Sequence, residues 1–167
     1  MSEIVLYDLG YIGGFMKEDS EVQTTLAAFR DATWELDNVY TLFPKSCRLS
    51  EVEYWSLLLI YEGVVTQSQI SERLFVSRQT LNSAFKQLRR KGLIRLEPYE
   101  ENQRSKQSFL TDAGRVFVEE HIMRMHLIEE NAWKKLSSDE HTALITLTKK
   151  ISCLIQKELE QSKINNV

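Results

Sequence analysis

Ser77 is followed at close spacing by Arg78, Gln79, Thr80, Asn82, Ser83 and Lys86. Arginine can give two parallel hydrogen bonds to guanine, and glutamine or asparagine can do the same for adenine. Lysine adds a mobile point charge suited to phosphate. Gln67 and Ser68 lie upstream and carry short polar groups of the kind that bond to phosphate oxygens. Downstream, Gln103-Arg104-Ser105-Lys106 places two cations in a polar stretch between two apolar-rich runs. A thin charged ribbon there could follow a sugar-phosphate backbone or enter a groove too narrow for a helix. The chemistry these residues offer is recognition of duplex DNA, with no bond made or broken.

Bond-making chemistry has no foothold elsewhere. There is no glycine-rich phosphate loop, no nucleophile elbow, and no pairing of histidine with cysteine or serine beyond chance, so no catalytic residue and no cofactor is expected. His121 and His126 stand five apart, on different sides of a helix, and zinc wants converging ligands, so no metal site is expected. Cys47 lies beside Lys45 and Arg48, whose charges could lower its pKa and make a redox switch. The plainer reading of Cys47 is a small half-buried filler. Cys153 falls one residue from an apolar seam and is expected to pack there. Two cysteines so far apart make no disulfide framework, which suits a reducing compartment.

Charge is distributed unevenly. Residues 66–111 hold nine basic and four acidic groups, a balance of +5 against a whole-chain net of −3, so the remainder stands at −8. Such segregation focuses a positive field on one module and keeps the rest off phosphate. The 43% apolar and 27% charged fractions belong to an ordinary folded chain of 167 residues. The apolar stretch 4–15 carries Asp8 with no Lys or Arg before it, unlike a signal peptide. No run approaches the roughly 20 apolar residues of a membrane helix. The expected address is the cytoplasm, with no membrane partner.

Local signals position these groups. Gly10, Gly13 and Gly14 suggest an irregular arm before a helix that begins near Lys17 and is ended by Pro44. Ser50…Glu53, Thr66…Gln69 and Ser137…Glu140 each have the spacing of a capping box, placing three helix starts. The first runs to Glu62 and stops at Gly63. The second spans 67–75 and is expected to bury Ile70, Leu74 and Phe75. Ser77 caps a fourth helix, 78–91, ended by Gly92, with one narrow apolar stripe of Leu81, Ala84, Phe85 and Leu88. Arg89, Arg90 and Lys91 fall at its far end as phosphate contacts or plain surface. Residues 93–97 and 107–110 read as strands around a polar turn, 100–106, with Pro98 at a sheet edge. Thr111 starts a further helix. In the last helix Leu144, Leu147, Ile151 and Leu154 repeat at a 3-4-3 spacing, the seam of a coiled-coil-like dimer.

Taken together, several of these pieces resemble the MarR (multiple-antibiotic-resistance regulator) family of dimeric winged helix-turn-helix proteins. They are Thr66-Gln67-Ser68-Gln69-Ile70-Ser71-Glu72-Arg73-Leu74, Val76-Ser77-Arg78-Gln79-Thr80, Leu88-Arg89-Arg90-Lys91-Gly92-Leu93-Ile94, Asn102-Gln103-Arg104-Ser105-Lys106 and Leu110-Thr111-Asp112-Ala113-Gly114. The family's wing usually carries Asp two residues before its Arg, a place held here by Asn102, and Glu100 or Glu101 could substitute. The resemblance implies a mainly α fold with a small β-wing. It divides the chain into an N-terminal arm and dimerisation helix (1–46), a winged lobe (47–114) and C-terminal dimerisation helices (115–167). It further implies a homodimeric DNA-binding repressor on a palindromic operator, with residues 78–91 as recognition helix and Arg104, with Lys106, gripping backbone or minor groove. A small aromatic or anionic effector would enter a cleft that Trp34, Tyr40, Trp55, His121 and Arg124 could line. Two other readings are a winged helix turned to protein interaction, and a metal or redox sensor using His121, His126 and Cys47.

Overall fold

A computed structural model of the chain describes residues 25–99 and 102–164. The expected irregular arm and the expected helix start near Lys17 lie outside them. The elements, in order, are α1 (Leu26–Ser46), α2 (Glu51–Tyr61), α3 (Gln67–Arg73), α4 (Arg78–Arg90), β1 (Ile94–Tyr99), β2 (Asn102–Leu110), α5 (Asp112–Phe117), a π-helical turn (Val118–Ile122), α6 (Met123–Trp133) and α7 (Ser138–Ile164). They divide into two compact units, one ending at Tyr40 and one beginning at Thr41.

The described part of the first unit is helical. Thr25 Oγ1 accepts the Ala28 N–H at 3.1 Å and caps α1. Leu26, Phe29, Trp34, Leu36 and Val39 on that helix are all exposed.

In the second unit all three capping boxes form as the sequence predicts. Ser50 with Glu53, Thr66 with Gln69 and Ser137 with Glu140 exchange reciprocal hydrogen bonds. Helix ends share one device as well. After α1, α2, α3 and α4 the chain passes through a left-handed residue: Arg48 (φ 54), Gly63 (φ 92), Phe75 (φ 53) and Gly92 (φ 71). Each is followed by an amide that bonds back five residues, as in Leu93 N–H to Leu88 O at 3.0 Å. Two expectations are corrected here. Pro44 does not end α1; it removes only its own N–H, and the helix runs on to Ser46 before Arg48 turns the chain. Phe75 is not buried: α3 stops at Arg73, and the left-handed turn leaves the phenyl ring 96% exposed.

The core collects one face of α2, α3, α4 and the π-helical turn. Tyr54, Leu57, Ile70, Leu81, Phe85, Leu88, Val118 and Ile122 are all essentially sealed from solvent. The four apolar residues of the α4 stripe are buried as the spacing predicts. The wing is longer than its sequence suggests. β1 and β2 pair antiparallel from Ile94 opposite Leu110 to Pro98 opposite Lys106, then shift register before Tyr99 pairs with Asn102. Polar residues can populate a two-stranded ribbon without the apolar alternation that would announce a strand. Ser108 N–H also bonds Val65 O at 2.7 Å, which ties the ribbon to the start of α3.

Candidate nucleic-acid interface

The cap of α4 is built first. Ser77 Oγ accepts the Thr80 N–H at 3.0 Å and bonds Thr80 Oγ1 at 2.8 Å, so both hydroxyls hold the helix start. The stripe of Leu81, Ala84, Phe85 and Leu88 faces inward, which turns Arg78, Gln79, Asn82, Ser83 and Lys86 to solvent with Thr80. Ser83 Oγ bonds back to Gln79 O at 3.1 Å. At about 1.5 Å per residue α4 is about 20 Å long, enough to cross a major groove.

Beside this face lies a cleft of about 270 Å³ lined by Gln67, Asn82, Phe85, Lys86, Arg89, Leu96 and Lys106. It brings α3, α4 and both wing strands to one place, and Lys86, Arg89 and Lys106 give it positive charge. Arg89, expected as a phosphate contact or plain surface, lines the cleft because 82, 86 and 89 share one helical face. Ser68 is half-buried, with its hydroxyl on Glu72 Oε1 at 3.2 Å. Arg104 sits in β2, where the register shifts, and not in a turn; its side chain lies outside the described part. Lys106 is likewise a strand residue, opposite Pro98.

Two cations of the basic window are held by carboxylates. Arg95 pairs with Glu97 and its guanidinium lies 4.9 Å from the centre of the Phe109 ring. Lys91 Nζ donates to Glu53 Oε1 at 2.8 Å, so in the free chain this lysine is paired. Burial opposes charge on Glu53, but hydrogen bonds from Lys91 and Ser50 outweigh it and hold the carboxyl below its usual range.

The expected effector residues fall on different surroundings. Trp34 is 64% exposed and Tyr40 half-buried on α1. Trp55 meets Tyr54 edge-on at 4.9 Å and Phe43 at 6.5 Å, an aromatic cluster at the α1–α2 junction. His121, in the π turn, lies 4.8 Å from Phe117, and both His121 and Arg124 are exposed. Cys47 is half-buried, and burial pushes its thiol up, with only partial relief from the Ser46 hydroxyl. Lys45, expected to draw its proton off, bonds Thr41 instead. His126 is flanked by Glu129 and Glu130 at 3.6 and 3.8 Å, and among the described residues no three His, Cys, Asp or Glu side chains gather as a metal site.

The last helix is the least covered element. Leu144, Leu147 and Leu154 are exposed, as are Ile155 and Leu159, and Ile151 is half-buried. Cys153, expected to be packed, is exposed as well. Among the described residues no helix is long and apolar enough to cross a membrane.

Residues 49–105, from the start of α2 into the wing, match the sequence profile of the MarR family. Over that stretch the chain resembles the MarR family of regulators. It is similar to the HTH-type transcriptional regulator YybA of Bacillus subtilis (strain 168), with 26% identity over 132 residues, 78% of this chain and 88% of that one. Its fold is that of a MarR family regulator from Neisseria meningitidis, at a TM-score of 0.72 and 17% identity over 84% of this chain and 99% of the other. S. aureus MepR, solved as a DNA complex, superposes at 0.63 with 23% identity, covering 78% of this chain and 96% of that one. The PcaV regulator of Streptomyces coelicolor, solved with its natural ligand, superposes at 0.60 with 19% identity, covering 81% and 96%.

Proposed function

We propose that this protein is a MarR-family regulator, a homodimer that reads a palindromic operator through α4 and grips the flanking backbone with the wing. The observation that carries the reading is the division of α4: every apolar residue of its stripe is buried and every candidate contact residue is exposed beside a cationic cleft. Arg78, Gln79, Asn82 and Ser83 take the base edges, as the first turns of a recognition helix do. Gln67, Ser68, Lys86 and Lys106 take phosphates, Arg104 takes backbone or minor groove, and Ser77 and Thr80 hold the helix start that presents them. The DNA complex of S. aureus MepR supports this use of the shared fold.

The dimer follows from apolar surface. Leu144, Leu147, Leu154, Ile155 and Leu159 line one long helix in contact with water, and each such side chain gains about 1.5–3 kcal/mol when covered. A second copy covers them along the Leu144, Leu147, Ile151, Leu154 seam. Two-fold symmetry then sets the recognition helices about 34 Å apart, one DNA turn, and makes the operator an imperfect palindrome. The output is repression, relieved by a small aromatic or anionic effector; the ligand complex of PcaV supports that regulation. The setting is the cytoplasm.

A mobility-shift titration across a salt series tests the reading. Duplex binding should weaken steeply with salt, because each phosphate contact releases a counterion. Affinity indifferent to salt would show that α4 and the wing do not meet phosphate, and would favour a protein-interaction module.

A further inference from the structure

Glu53 is an expensive way to cap a helix. At the third position of α2 its Oε2 accepts the Ser50 N–H at 2.8 Å, yet the residue is only 6% exposed. A neutral side chain does the same work one helix later, where Gln69 Oε1 accepts the Thr66 N–H at 3.3 Å. The α7 box does use a carboxylate, that of Glu140, but in the open. Capping therefore does not call for a buried negative charge at residue 53, and a buried carboxylate is costly unless it is paired.

The pairing supplies the reason. The second oxygen, Oε1, accepts Lys91 Nζ at 2.8 Å, across 38 residues of sequence. Lys91 is the C-terminal cap of α4, the last residue before Gly92 turns the chain. One carboxylate thus joins the start of α2 to the end of the recognition helix, and α2 itself packs against α4 and the π turn. Pinning one end of a rod about 20 Å long controls the other: a tilt of about 3° moves the far end by about 1 Å, enough to spoil a bidentate base contact. The pair also takes a cation away from phosphate. Lys91 follows Arg89 and Arg90 directly, and a free ammonium there would add affinity for any duplex, whatever its sequence.

Resting on the DNA-reading role proposed above, we infer that Glu53 is a positioning residue for sequence discrimination: it pins the end of α4 through Lys91 and keeps that lysine off the phosphate backbone.

The test is Glu53→Gln in the full-length protein, since Gln can keep the cap as Gln69 does while giving up the ion pair. Binding to an operator selected from random fragments and to a random duplex would be measured over a salt series, with Lys91→Met and the double variant alongside. Freed Lys91 should tighten random-duplex binding and steepen the log-affinity against log-salt slope by about 0.9 per subunit. The operator-to-random ratio should fall several-fold. Lys91→Met alone should leave the slope unchanged, and the double variant should return it to the wild-type value. A merely structural role would lower both affinities together and leave the slope alone, and that result overturns the proposal. So would a shallower slope in Lys91→Met alone, which would place Lys91 on phosphate already. Wild-type protein with no salt-dependent duplex binding would remove the DNA reading itself, a result distinct from either. Hydrogen exchange in the last turn of α4 gives a readout without DNA: Glu53→Gln should speed it, and unchanged exchange would count against the pin.

Discussion

Phe75 carries two unfavourable features at once. Its backbone is left-handed, which costs an L-residue about 1–2 kcal/mol, and its ring is 96% exposed, so packing among the described residues returns little. Asparagine tolerates the same backbone through its short polar side chain. Phe75→Asn is expected to raise unfolding free energy by about 1 kcal/mol, seen as a higher urea midpoint at unchanged slope; an unchanged or lower midpoint would mean that the ring has a partner in the folded state. Arg78, by contrast, should matter little to stability and much to reading. It is exposed in the first turn of α4, where a guanidinium can meet guanine. Arg78→Ala should cost about 1–3 kcal/mol on the operator and relax preference at one base position per half-site. A selection experiment that returns the same base at every position would take Arg78 out of the reading set.

At the scale of elements, the local codes were legible and the long-range ones were not. Ser50, Thr66, Ser77 and Ser137 announced helix starts because a cap and its partner lie within three residues. Gly63 and Gly92 announced two stops because left-handed backbone favours glycine. Arg48 and Phe75 make the same turn without that mark, so sequence alone points to Pro44 as the end of α1 and to Phe75 as core. The recognition face followed from the buried stripe of α4. The joining of Glu53 to Lys91 depends on how separate elements pack, which no local pattern records. Two tests belong at this scale. Thr111, which caps α5, donates its N–H to Leu93 O at 3.1 Å and its hydroxyl to Gly92 O at 2.6 Å, so α5 starts on the turn that ends α4. A Cβ on Gly114 would fall against the Leu93 carbonyl, only 2.8 Å from its carbon. Gly114→Ala should therefore destabilise by about 1–3 kcal/mol, and a melting temperature that does not move would show that α5 can shift away. The second concerns acid. A carboxyl held below its usual pKa in the folded state contributes stability above its unfolded value, and loses it as pH falls through the folded value. Glu53 is such a group, and Gln at that position is indifferent to pH. The stability gap between wild type and Glu53→Gln should be full near neutrality and close below the ordinary carboxylate range; a gap constant down to acid would contradict the ion pair.

For the whole molecule the decisive quantity is uncovered apolar surface. α7 runs 27 residues from Ser138 to Ile164, and no residue described on it is buried. A helix of that length with leucines and isoleucines open along one face is not a stable end state for a protein in water; exposed patches of this kind mark association sites. The row begins at Leu144 and continues through Leu147, Ile151 and Leu154, then moves to Ile155 and Leu159 as the 3.6-residue period drifts from the 3.5 seam. Ile151 sits where the two rows meet and borders a groove with Leu154, Ile155 and Leu159. A carboxylate there would remain solvated in a monomer but would be buried without a counter-charge in a symmetric dimer, once from each subunit. Ile151→Glu is therefore expected to leave the winged lobe folded and to dissociate the proposed dimer, with scattering mass falling to one chain. DNA affinity should then collapse toward that of a single half-site, because the second recognition helix no longer arrives tethered to the first. If the variant still scatters as a dimer, the subunits meet elsewhere, and the expected spacing of the two half-sites has to be derived from that other face.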